Sequence, residues 1–181
     1  YVVHAASPGL YRLESTGLLL MEGALRTRTV CFFDTQRGNG AGRNFLIQQY
    51  LREGEYQLTV RTAGLSKGHL GIVLSSNPVV EAGNLTSGGV GRLTLRGTQA
   101  AAYRIDIRSA GEYRLESVGL GGILGCRLED DEGWPLETPG GPASIRRRFE
   151  KGRYRLVLLP AAAEMRAVTR LEEIVPPPHF E

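Results

Sequence analysis

Tyr103-Arg-Ile-Asp-Ile-Arg-Ser-Ala-Gly-Glu-Tyr-Arg-Leu-Glu-Ser-Val-Gly119 repeats, without a gap, the segment Tyr1-Val-Val-His-Ala-Ala-Ser-Pro-Gly-Leu-Tyr-Arg-Leu-Glu-Ser-Thr-Gly17 at an offset of 102 residues. Self-similarity at a long period is sought before single elements, because it sets the architecture within which they are read. Two further matches extend the repeat. Cys31-Phe-Phe-Asp-Thr-Gln-Arg-Gly38 aligns with Cys126-Arg-Leu-Glu-Asp-Asp-Glu-Gly133 at an offset of 95, and the segment from Tyr50 to Val60 aligns with that from Arg148 to Leu158 at 98. At 98, Pro78 falls on Pro176. An offset that drifts only in loops is the mark of a duplication.

Within each copy the apolar residues recur at every second position: Tyr11 and Leu13; Tyr56, Leu58 and Val60; Tyr103, Ile105 and Ile107; Tyr113 and Leu115; Tyr154, Leu156 and Leu158. That period belongs to half-buried strands. A glycine stands two residues before a tyrosine at Gly9/Tyr11, Gly54/Tyr56, Gly111/Tyr113 and Gly152/Tyr154, which reads as a turn opening each strand. Short strands between glycine-rich turns imply an all-β chain built of two tandem antiparallel jelly-roll-like β-sandwich modules. The expected division is 1–80 for the first module, 81–91 for a linker, 92–175 for the second module and 176–181 for a Pro-rich tail. Arg92 to Arg96 is then an opening strand of the second module that the first lacks, leaving the first with an edge open to pairing.

The chain has 181 residues, enough for two small domains, with 41% hydrophobic and 23% charged residues, a balance typical of folded proteins. No apolar run approaches the roughly 18 residues of a membrane-spanning helix. The net charge of +3 is too small to imply nucleic acid, and no recognition helix or aromatic platform is apparent. The segment reads as an internal piece of a larger polypeptide.

The order of strands, carried by Tyr103 to Ile107, Gly111-Glu-Tyr-Arg-Leu115, Cys126 to Gly133 and Lys151-Gly-Arg-Tyr-Arg-Leu-Val157 with their counterparts in the first copy, resembles that of bacterial pre-peptidase C-terminal domains. The resemblance implies jelly-roll-like sandwiches that serve secreted, periplasmic or envelope proteins as accessory modules and carry no catalytic residues. The first copy departs at the acidic turn, where Asp34 stands nearly alone against Glu129, Asp130, Asp131 and Glu132.

Candidate chemistry is sparse. Cys31 and Cys126, placed at equivalent inward positions of separate cores, are expected as buried thiols that do not pair, because a disulfide needs Cα atoms within about 7 Å. His4, His69 and His179 have no nucleophile beside them and no ligand spacing, so no catalytic or cofactor-binding residue is expected. The loop from Arg37 to Arg43 lacks the Gly-Lys-Ser/Thr ending of a phosphate loop and is expected as a hairpin tip. Asp130, Asp131 and Glu132 are calcium candidates, since calcium takes six to eight oxygens, but consecutive acids diverge along a strand and suit a charged turn. Trp134, next to Pro135, could stack on a sugar ring or anchor a partner. Arg146 and Arg148, in the densest basic stretch, could meet an anionic glycan, although alternation divides that stretch between two faces. The function expected is a non-catalytic interaction, targeting or spacer module whose partners are the rest of its polypeptide or an envelope protein. The alternatives are a carbohydrate- or matrix-binding module and an accessory part of an enzyme.

Overall fold

The four Gly-x-Tyr motifs become one device used four times. Tyr11 donates its hydroxyl hydrogen to the Ser7 carbonyl, Tyr56 to Arg52, Tyr113 to Ser109 and Tyr154 to Glu150, each four residues back and at 2.9–3.1 Å. The bond satisfies the phenol, buried in all but Tyr154, and pins the reversal that leads into the strand, as tyrosine corners do. A computed structural model describes residues 1–29, 34–64, 67–96, 99–122, 124–136, 144–160 and 164–175. Every regular element among them is a strand. Cys31 and His179 lie outside the described residues, as does the 176–181 tail.

The chain forms two compact units, Tyr1–Pro78 and Val79–Glu181. The first contains β1 (Val2–Ala5), β2 (Gly9–Thr16), β3 (Met21–Arg26), β4 (Asp34–Arg37), β5 (Leu46–Leu51), β6 (Gly54–Thr62) and β7 (Gly71–Pro78). They make two sheets, ordered β1-β6-β3-β4 and β5-β2-β7, in which neighbouring strands run antiparallel. Val3, Met21, Leu25 and Leu58 from one sheet meet Tyr11, Leu13, Ile47 and Leu51 from the other in a single core, which makes the unit a sandwich. Gly23 lies under the ring of Phe45, where an added Cβ would come within 2.6 Å of the ring.

The second unit contains β8 (Val80–Leu85), β9 (Val90–Arg96), β10 (Ala101–Ile107), β11 (Gly111–Leu120), β12 (Leu124–Asp130), β13 (Ser144–Phe149), β14 (Gly152–Pro160) and β15 (Glu164–Glu173). Its sheets are ordered β12-β14-β10-β8 and β13-β11-β15-β9. Phe149 anchors the core, meeting Tyr113 and Tyr154 edge to face at 5.8 and 4.9 Å.

The pairing registers superpose the units. Leu13 faces Leu74 as Leu115 faces Leu171, and Val3 faces Tyr56 as Ile105 faces Tyr154. Several sequence expectations change. Residues 81–91 are not a linker: most of β8 and the start of β9 occupy them, and the turn is confined to the intervening residues, where Gly88 has φ +76°. β8 also runs parallel to β10, departing from a purely antiparallel design. Its period-two pattern is broken because Gly83 adopts φ +93° where the register with β10 shifts, a bulge that moves Leu85 to the core side out of step with Val80.

The second change concerns what the first unit lacks. Neither β8 nor β9 has a counterpart there among the described residues, so the difference is two strands rather than one. The third concerns the cysteines. Met21 faces Thr62 and Gly23 faces Val60 as Leu124 faces Pro160 and Cys126 faces Leu158, so β3 corresponds to β12 and Cys126 to Gly23, not Cys31. A shared cysteine outweighed strand register in the alignment. The inward triplet Met21, Gly23 and Leu25 has little residue identity with Leu124, Cys126 and Leu128.

The loop between β4 and β5 is likewise no hairpin tip, because those strands belong to different sheets. Asn39 donates to the Leu46 carbonyl and accepts from the Leu46 N–H, both at 2.8 Å. Buried Asn44 donates to the Gly17 and Ala41 carbonyls and bonds Ser15 at 2.9 Å. These amides replace backbone bonds lost in crossing between sheets.

Candidate functional site: the acidic turn and tryptophan of the second unit

β12 is buried on both faces. Cys126 and Leu128 point into the core, where burial pushes the Cys126 thiol up to about 11, a hydrogen bond with Ser117 opposing the shift. The thiol is therefore protonated and unreactive near neutral pH. Cys126 makes no disulfide.

On the other face, Arg127 and Glu129 are only 4% and 1% exposed, and the Arg127 Nε donates to Glu129 Oε1 at 2.6 Å. Arg155 on β14 stands opposite Glu129 and approaches its second oxygen at 3.9 Å. Arg155 also donates to Glu81 at 2.9 Å, and Glu81 lies 3.3 Å from Arg104. Alternating charges thus cross the outer face of the β12-β14-β10-β8 sheet, each cation beside an acid. Glu129 belongs to this framework and not to a metal-binding acidic cluster.

Beyond β12 the chain turns tightly. Gly133, at φ +80°, donates its N–H to the Asp130 carbonyl at 3.0 Å. The Asp130 N–H donates to the Trp134 carbonyl at 3.0 Å, and Asp130 Oδ1 accepts the Trp134 N–H at 2.8 Å. Leu136 then bonds back to Leu128, and Glu129 bridges Pro135. A side chain that accepts from the backbone four residues on fixes the turn from within. The turn presents Trp134 with 59% of its surface exposed.

The calcium candidates are distributed by this geometry. Asp130 serves as the turn's internal acceptor, and Asp131 accepts from Arg153 at 2.8 Å. Asp130, Asp131 and Glu132 border an open depression of about 440 Å³ together with Asp106, Lys151, Arg153 and Tyr154. Of the arginine candidates, Arg146 donates to Glu112 at 3.0 Å and Arg148 lies 3.7 Å from Glu150, both exposed on the outer face of β13. Arg147 lies on the other face, over the Phe149 ring and donating to the Leu136 carbonyl. The basic run is divided as strand alternation requires. The buried Arg127–Glu129 pair was missed in the sequence, where Cys-Arg-Leu-Glu is indistinguishable from a strand with one wet face.

No protein-family model matches the chain, and no curated protein matches it. Among solved structures it is similar to the pre-peptidase C-terminal domain of a collagenase from Bacillus anthracis, with 13% identity, 54% of this chain and 100% of that chain covered, and a TM-score of 0.43. It is also similar to the CUB1-EGF-CUB2 region of human MASP-1/3, with 8% identity, 94% of this chain and 91% of that chain covered, and a TM-score of 0.31.

Proposed function

We propose that the chain is a non-catalytic pair of β-modules acting as an interaction or targeting unit of a larger secreted or periplasmic bacterial protein. The observation that carries the reading is the presentation of Trp134. A large apolar side chain is held out on a turn whose backbone is bonded to itself and to the Asp130 side chain, so little ordering remains for a partner to impose. Aromatic side chains on rigid supports are the usual anchors of protein and sugar contacts. The neighbouring charges support the same reading, because Asp131, Arg146 and Arg153 are engaged with opposite charges of their own unit.

The depression beside the acidic turn favours a carbohydrate or matrix polymer as the ligand class, with Arg146 and Arg148 as outlying contacts for anionic groups. A glycan array and a collagen pull-down, each with and without calcium, test this on the wild type and Trp134→Ala. Ligand capture reduced by about tenfold or more in the variant is expected, corresponding to 1.4 kcal/mol or more at the contact. Capture that is absent in both proteins, or equal in both, leaves only a spacer role. Capture that depends on calcium in the wild type and loses that dependence in Asp131→Asn/Glu132→Gln would place the ion at the acidic turn.

A further inference from the structure

We propose that the outer face of the β13-β11-β15-β9 sheet carries a docking surface for an acidic, extended segment of another protein, centred on Arg92, Arg96 and Arg166. The pairing registers lay this face out row by row. Arg92, Val168 and Val118 stand side by side on β9, β15 and β11. Thr94, Arg166 and Leu120 form the next row, and Arg96 beside Glu164 the last. These side chains point away from the core, because Leu95, Met165, Ala167 and Ser117 alternate with them on the buried side.

The charges divide the face in two. Toward the opposite end of β11 and β15 the arginines are matched by acids: Arg114 and Arg170 share Glu172, and Arg146 meets Glu112. Around Thr94 the arrangement differs. Arg92, Arg96 and Arg166 are exposed there, and their side chains make no ion pair or hydrogen bond among the described residues; Glu164 is the one acid beside them in the register. Neighbouring like charges on a sheet repel, and carboxylates brought by a partner relieve that repulsion.

Apolar surface adjoins these arginines. Val118 and Leu120 are 57% and 56% exposed, and Val168 is half-buried between Val118 and Arg92. A sulfated glycan would use the guanidiniums and leave this ridge wet, whereas protein interfaces combine arginine with apolar contacts. The spacing indicates the partner's shape. Four residues of strand place Arg92 and Arg96 about 13 Å apart, with Arg166 level with their midpoint one strand over. Every second side chain of an extended chain recurs at about 7 Å. Three carboxylates at alternate positions therefore meet Arg92, Arg166 and Arg96 in turn, and the side chains between them face Val168, Val118 and Leu120. Each guanidinium can give a carboxylate two parallel hydrogen bonds.

The test titrates the isotope-labelled full chain with a synthetic peptide of alternating Glu and Leu, a length-matched peptide of Glu and Ser, heparin, and phosphatidylglycerol vesicles, following amide shifts by NMR. The Glu/Leu peptide is expected to shift β9, β15 and the end of β11, with an affinity that falls as salt is raised. Arg92→Ser and, independently, Arg166→Ser should each weaken it by about tenfold. Val118→Ser/Leu120→Ser should weaken the Glu/Leu peptide and leave the Glu/Ser peptide unchanged. All four side chains are exposed, and an unchanged melting temperature confirms that each variant is folded. No binding of the Glu/Leu peptide at millimolar concentration, or binding unaltered by Arg166→Ser, would overturn the proposal. Tighter binding of heparin or of the vesicles at the same arginines would also overturn it, in favour of a glycan or a lipid surface. Trp134→Ala should leave peptide binding unchanged, so failure here and failure of the tryptophan site are separable.

Discussion

Glu129→Gln is expected to destabilise the second unit by about 3–5 kcal/mol, the usual cost of breaking a buried ion pair from one side. Glu129 and Arg127 are almost wholly enclosed, so removing the carboxylate's charge breaks their 2.6 Å ion pair in a region where water cannot replace it. Arg155 loses an acid as well, but it is 26% exposed and retains Glu81. A loss of this size is a large share of the roughly 5–15 kcal/mol that holds an ordinary domain together. The double variant Arg127→Met/Glu129→Leu should recover most of it, because well-packed apolar residues commonly match a buried pair in stability. Urea unfolding followed by fluorescence of Trp134, the chain's single tryptophan, reports on this unit directly. A cost below about 1 kcal/mol for Glu129→Gln would mean that the pair behaves as a solvated surface bridge.

The second large effect is a contrast between equivalent positions. Leu171→Ala should cost about 2–5 kcal/mol, since it removes a fully buried side chain and leaves a cavity in the core of the second unit. Leu74→Ala should cost less than about 1 kcal/mol, because half of that side chain already meets water and little space is left unfilled. The same residue type in the same register thus separates by several-fold through the difference in the cover around it. Circular dichroism, together with Trp134 fluorescence, follows both unfolding transitions. Equal costs would contradict that difference.

What was legible in the sequence follows from the range of the forces involved. The Gly-x-Tyr motifs announced four strands because the glycine, the reversal and the tyrosine's bond all lie within five residues. The all-β class was readable for the same reason, alternation being local. β8 was hidden by Gly83, whose bulge breaks the period that identifies a strand, and the glycines after it suggested a linker where they serve one turn. The correspondence of β3 with β12 was obscured because a core position accepts Gly23 under Phe45 in one unit and Cys126 in the other, provided the volumes balance. The acidic turn was correctly located, but its division of labour was not. Glu129 is a buried structural acid, Asp130 an internal acceptor and Asp131 an ion-pair partner, a distinction set by tertiary cover and not by residue type.

The central claim, that the chain repeats one β-module in two units and that the first shows no counterpart of β8 and β9 among its described residues, is tested most directly by residue-resolved amide hydrogen exchange on the full chain. The prediction is that the amides of Arg166 to Arg170 in β15 are protected throughout, lying between β11 on one side and β9 on the other. Along β7 the amides directed to β2 should be protected, and the alternate ones should exchange at nearly the rate of solvent-exposed backbone. Uniform protection of β7 equal to that of β15 would show the edge already closed and would contradict the account.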